Sequence, residues 1–156
     1  MADSVHTPSV RELVDPQGTL PAVEMIINPD TPLPRGTLRP LPVLFMHDGE
    51  PVGHSTLVRN MRQQTEHFSG VQIEDDYKGA GFGTAAYLAA VEDAHARGDT
   101  FRTHDWTQTG SAKRVWDRFI EAGVANVVEP FRLVGIEENG TEKYVGHVEI
   151  PPQKRQ

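Results

Sequence analysis

Apolar residues at 43–46 (VLFM) and 52–58 (VGHSTLV) flank the tetrapeptide His47-Asp48-Gly49-Glu50. Two such runs around an Asp-Gly pair predict two strands joined as a hairpin. Residues 67–74 (HFSGVQIE), apolar at Phe68, Val71 and Ile73, predict a third strand that ends on Asp75-Asp76. The period then changes. Residues 84–97 are rich in alanine, with Ala85, Leu88 and Ala89 at helical spacing, and Gly98 stands where a helix needs a left-handed residue to end it. Residues 100–106 predict a short strand. Ala112, Val115, Phe119 and Ala122 mark a second amphipathic helix, with Thr109 or Ser111 as its cap and Gly123 as its stop. Two further strands are expected at 126–134 and 143–150, separated by the turn Glu138-Asn139-Gly140.

The N-terminal part reads differently. Nine of the 12 prolines fall within the first 51 residues, which excludes long helices there. Residues 22–28 (AVEMIIN) are apolar enough for one strand, and the following PDTPLPRGTLRPLP reads as extended, polyproline-like chain. The expected organisation is a proline-rich arm over 1–41, a single core domain over 42–150 and a polar tail over 151–156. With strands and helices interleaved, the fold class is α/β (α+β): about six or seven strands in one mixed, mostly antiparallel sheet flanked by helices.

Composition narrows the function. The 156 residues suit one domain, and hydrophobic (37%) and charged (24%) positions are spread as in globular proteins. There is no cysteine, which removes disulfides, thiolate catalysis and Cys-ligated zinc together. The remaining histidines form no spaced ligand pair, so no metal is implied. The first residues (MADSVHTPSV) carry neither a basic start nor an apolar run, and no stretch approaches the roughly 18 apolar residues of a membrane span. A cytoplasmic location is the expectation. A net charge of −7 with scattered basic residues makes nucleic acid a poor partner, and the arm leaves room for a homo-oligomer or larger assembly.

The strongest chemical signal is Lys78-Gly79-Ala80-Gly81-Phe82-Gly83, glycine-rich chain between a strand and a helix. Backbone amides converging at a helix N-terminus suit an anion such as a pyrophosphate, and the alternative is a tight turn with no ligand. A P-loop would require Lys-Ser/Thr after the last glycine, where Thr84 follows Gly83 directly. A dinucleotide fingerprint needs a different glycine spacing and an early apolar strand.

The stretch IEDDYKGAGFGT at 73–84 resembles the acetyl-CoA motif of the GNAT superfamily, Q/R-x-x-G-x-G/A, with Lys78 in the basic slot and Gly81 and Gly83 in register. DGEPVG at 48–53 looks like the family's second-to-third strand hairpin, and SAKRVW at 111–116 with Gly123 looks like its fourth-helix segment. The resemblance covers roughly residues 42–131. It implies acetyl-CoA as co-substrate, with pyrophosphate on the amides of Gly79, Ala80, Gly81, Phe82, Gly83 and Thr84 and pantetheine beside the strand ending at Ile73. It implies an N-acetyltransferase acting on a primary amine of a small molecule or protein.

Transfer to an amine also needs a base and an acid. Glu66 and His67 stand where the family often places its carboxylate, with Glu74 and His54 in reserve. The acid, a tyrosine four residues after an alanine and seven after an asparagine, has no counterpart: Ala112 keeps its place, but Thr109 and Trp116 fill the other slots. Indole donates a hydrogen bond and is no practical proton donor. Those departures, with a proline-rich arm in place of two acceptor-gripping helices, leave a second reading: a weak or inactive GNAT-fold protein with a structural role. The stretch THDWTQTG at 103–110 looks like GNAT-like domains of phage genomes, which would make that role a virion component.

Overall fold

The computed structural model describes residues 7–28 and 35–153. The polyproline-like stretch at 29–34, the extreme N-terminus and the basic end of the tail (Lys154, Arg155) lie outside the described residues.

The chain runs α1 (Val10–Val14), β1 (Glu24–Ile27), β2 (Leu38–His47), β3 (Glu50–Asn60), β4 (Thr65–Ile73), α2 (Phe82–Ala96), β5 (Thr100–Arg102), β6 (Gln108–Thr109), α3 (Gly110–Glu121), β7 (Asn126–Ile136) and β8 (Glu142–Ile150). One eight-stranded sheet has the order β1-β2-β3-β4-β5-β8-β6, and β7 takes the other edge of β8. All pairings are antiparallel except β4 with β5.

Local chemistry accounts for most of these elements. Asp48 and Gly49 both have positive φ (49° and 79°), the mirror-image turn whose twist suits a two-residue hairpin. Thr109 caps α3 by accepting from the Ala112 N–H at 3.2 Å, and Gly123 (φ 76°) stops the chain after it.

Two features depart from the sequence reading. A short helix, α1, forms inside the arm, closed by a capping box between Ser9 and Glu12. Its Val10 and Val14 enter the core, Arg11 pairs with Glu92, and Arg118 donates to the Val14 carbonyl at 3.2 Å. In addition, β2 begins at Leu38 and carries Pro40 and Pro42 inside it. The β1–β2 ladder starts at Ile27↔Val43; just before it the Pro42 carbonyl accepts from the Asn28 N–H at 2.9 Å, and Pro40 has no strand opposite it on that side among the described residues.

The core is an aromatic chain crossing from sheet to helices. Phe45 meets Phe68 edge-on, Phe68 contacts Tyr87 and Phe101, and Phe101 stacks on Trp116 with ring centroids 5.8 Å apart. α2 packs into this core through Ala85, Ala86, Ala90 and Ala94, whose small side chains allow close approach to the sheet.

The feature that positions a site is a split in the sheet. β4 and β5 pair at only two positions, Thr65↔Thr100 and Glu66↔Phe101, and then separate. β4 runs on to Ile73 while the other strand stops at Arg102, leaving a V between β4 and the segment that leads to β6.

Candidate functional site

A cleft of about 230 Å³ fills the V. One wall is β4 from Gly70 to Ile73, the floor is Gly83 and Tyr87 of α2, and the far wall is His104, Gln108, Thr109, Ala112 and Val115. The β4 wall is bulged. Phe68 faces Leu57 and Val71 faces Ser55, so β4 has one residue more than its partner there, and Gly70 takes φ 92°. The Gly70 carbonyl accepts from the Ser55 hydroxyl at 2.5 Å.

The glycine turn lies at the end of this wall. After β4 a single 3₁₀ turn, Asp75–Tyr77, leads into Gly79 (φ 78°) and Gly81 (φ 86°), and Gly81 is the N-cap of α2. Glycine has no side chain to cap with, and Ala85 N–H is the first amide of the helix to find an acceptor within it, Gly81 O at 3.0 Å. The amides of Phe82, Gly83 and Thr84 therefore present donors, together with the positive end of the helix dipole. A Cβ at Gly79 or Gly83 would meet nothing within 4 Å, so space for an anion is there. At Gly81 it would crowd Leu20 (3.1 Å) and Pro21 (3.3 Å) of the arm. The turn fits a pyrophosphate at its outer side and is braced by the arm behind. Lys78 lies outside the cleft, paired with Asp75 at 2.8 Å, and the Phe82 side chain packs inward against His47 and Tyr77. Of the residues singled out from the sequence as cofactor contacts, Ile73 and Gly83 line the cleft, whereas Lys78, Gly79, Ala80, Gly81, Phe82 and Thr84 are not among its lining residues.

The two candidate bases separate. Glu66 does not reach the cleft: it points beneath the C-terminal end of α2, fully buried, with Oε1 3.0 Å from Arg59 Nε and Oε2 3.6 Å from Arg97 Nε. Arg59 also binds Asp93 at 2.8 Å. Burial pushes the Glu66 carboxyl up to about 7, Asp99 adds to the rise, and Arg59 opposes it. Glu66 lies at the closed end of the V, where β4 and β5 are still paired, apart from the residues that line the cleft.

His67 lies on the opposite face of β4, as strand alternation requires, near the vertex of the V, and like Glu66 it is not among the residues that line the cleft. Burial lowers its pKa, and Arg102 and His104 lower it further. His104, which lines the cleft, is also lowered by burial, with Asp105 opposing and Arg102 assisting. Both rings are therefore neutral at pH 7. The Trp106 N–H donates to His104 Nδ1 at 3.0 Å, which fixes the proton of the neutral ring on Nε2. Of the reserve candidates, Glu74 lies beyond the strand end, and His54 is exposed on β3 opposite Gln72.

Trp116, in the tyrosine slot, is a core residue: 1% exposed, stacked on Phe101 and edge-on to Tyr87 and Phe119, and absent from the cleft wall. Two cleft residues had no site role in the sequence reading, which sets Tyr87 aside because it is not on the fourth-helix segment. Tyr87 sits one helical turn beyond Gly83, and burial alone raises its phenol pKa, which keeps the proton on oxygen. Gln108 is 2% exposed, and its Nε2 has no hydrogen-bond partner among the described residues. The spacing of Tyr87 from the glycines could have signalled it; nothing in a Thr-Gln-Thr stretch marks Gln108.

Behind the sheet, Asn28, His54, Thr56, Ser69, Gly70 and Gln72 line an open groove of about 450 Å³. Gly70 and Gln72 line both the cleft and this groove. Among the described residues no group of three His, Asp or Glu side chains could hold a metal ion, and no helix is long and apolar enough to cross a membrane.

No family model matches the chain, and no curated protein sequence matches it. Solved structures do. The ribosomal-protein-S18-alanine N-acetyltransferase from Escherichia coli superposes with a TM-score of 0.58 at 13% identity, over 86% of this chain and 96% of its own. The IAA acetyltransferase from Bacillus cereus gives 0.57 at 15% identity, over 83% and 99%. An acetyltransferase from Bacillus subtilis, solved in complex with CoA, gives 0.58 at 15% identity, over 84% and 99%. The fold is that of the GNAT acetyltransferases.

Proposed function

We propose that this GNAT-fold chain transfers an acetyl group from acetyl-CoA to a primary amine. The observation that carries the reading is the continuity of one cleft, from the donor amides at Gly83 along β4 to the bulge at Gly70. Such a cleft suits a long thioester with an anionic end: pyrophosphate on the start of α2, pantetheine beside Val71 and Ile73, and the acyl group at the bulge. The CoA held by the structurally similar Bacillus subtilis protein supports that choice of ligand.

Each remaining task has a candidate side chain. His67, neutral and near the vertex, is the base that takes a proton from the incoming ammonium. His104, with Nε2–H free to donate, and Tyr87, with its proton retained, are the donors toward the departing sulfur or the developing oxyanion. This removes the need for a tyrosine at position 116. The acceptor enters from the groove behind the sheet, where Gly70 is shared between the two surfaces. One support of the structural, virion-type reading is weakened: Val10, Val14 and Leu20 of the arm pack on their own domain.

Gly83→Asp tests the reading. Position 83 has open space, and an aspartate in the first turn suits the helix dipole, so the fold should be retained with an unchanged or higher Tm. Its charge occupies the pyrophosphate position. Calorimetry should show acetyl-CoA binding by the wild type and none by the variant; equal affinity, or no binding by a folded wild type at millimolar ligand, would overturn the proposal.

A further inference from the structure

Among the described residues, β7 is the one long strand of the sheet with exposed aliphatic side chains along nearly its whole length. Val127, Val128, Leu133, Val134 and Ile136 are 44–64% exposed, and Phe131 packs only partly against the core. Its outer edge has no strand partner among the described residues. A contiguous apolar surface of this kind is unusual on a free monomer.

The order of residues along β7 indicates what covers it. Its ladder with β8 skips a residue three times, between Val127 and Glu129, between Glu129 and Arg132, and between Leu133 and Gly135. Each skip places an apolar pair, Val127-Val128, Pro130-Phe131 and Leu133-Val134, against a single residue of β8. The residues between them, Glu129 and Arg132, pair with His147 and Val145 and so share the other face. The strand therefore has internal symmetry about Pro130-Phe131: reversing it exchanges Val127-Val128 with Leu133-Val134 and Glu129 with Arg132. Neither Glu129 nor Arg132 makes a side-chain hydrogen bond or ion pair among the described residues.

We propose that β7 is the interface of a homodimer, with two copies of the strand antiparallel across a two-fold axis at Pro130-Phe131. Rotation about that axis sets Glu129 of each copy against Arg132 of the other, and the valine pair of each against the Leu-Val pair of the other. With its three extra residues taken up in bulges, β7 runs beside residues 142–149 of β8, a contact line of about 26 Å at about 3.3 Å per residue. The bulges and Pro130 make the edge a poor template for an arbitrary strand, so selection rests on this side-chain match. The arm, by contrast, spends Val10, Val14 and Leu20 on its own core.

Light scattering and sedimentation over a dilution series test the proposal with four full-length chains. The wild type should dimerise. Glu129→Arg and Arg132→Glu should each weaken the dimer about tenfold or more, because like charges then face each other twice. The double variant Glu129→Arg with Arg132→Glu should dimerise again, since exchange of both charges restores every pair. Circular dichroism and Tm confirm that each variant is folded, as expected for exposed positions. A monomeric wild type would overturn the proposal, assigning the surface to a different partner. Single variants that dimerise normally, or a double variant that stays as weak as the singles, would overturn it too.

Discussion

Glu66 and His67 are neighbours in sequence and strangers in space, because successive strand residues face opposite sides of a sheet. His67→Ala should lower the acetyl-transfer rate by about 10²–10⁴-fold while acetyl-CoA affinity, read by calorimetry, stays unchanged. Its depressed pKa also implies that the wild-type rate stays on its plateau below pH 6.5, the ordinary histidine value. Glu66 carries a separate prediction about stability. In the folded chain it holds its proton up to about pH 7, whereas unfolded it releases it near 4.5. Across that window the folded state carries the extra proton, so the Glu66 contribution is full below about 4.5 and is lost as pH rises through about 7. Glu66→Gln, neutral throughout, should flatten the decline in urea stability between pH 5 and 7. An unaltered slope would assign the decline to other groups. Sequence placed both residues at the start of a strand correctly, but it could not say that this end of β4 is the closed one. That depends on where β5 stops pairing, a long-range fact.

At the scale of elements, strongly patterned segments were readable and short ones were not. The hairpin around Asp48-Gly49, the α2 run with its glycines, and α3 between Thr109 and Gly123 each combine periodicity with a terminal signal. α1, at five residues, is too short for periodicity to register. Its capping box is present in the letters Ser9 and Glu12, but the flanking Pro8 and Pro16 carry the pattern of extended chain. Ser9→Ala should cost about 1 kcal/mol in a urea titration, since it removes the acceptor for the Glu12 N–H. A loss near zero would mean that the packing of Val10 and Val14 holds the segment without its cap. The prolines of β2 teach a similar lesson. Pro40 and Pro42 argue against a central strand in general, but not against the half of a strand where the neighbour on one side is lacking or only just begins.

For the molecule as a whole, the order of elements carried the fold class, and the glycine turn in its context carried the family resemblance. The far wall of the cleft was beyond reach, because β6 is two residues long and owes its position to pairing with Tyr144 and Lys143 some 35 residues later. What opposed the glycine turn was therefore hidden, and with it Gln108. The back groove was hidden for the same reason, being made where β2, β3 and β4 meet beside Asn28.

The double duty of Gly70 and Gln72 has a kinetic consequence. Under the proposed function the thioester and the amine would reach this shared strand through separate doors. Free CoA should then compete with acetyl-CoA and leave the amine's entrance clear, a pattern that product-inhibition kinetics would read directly.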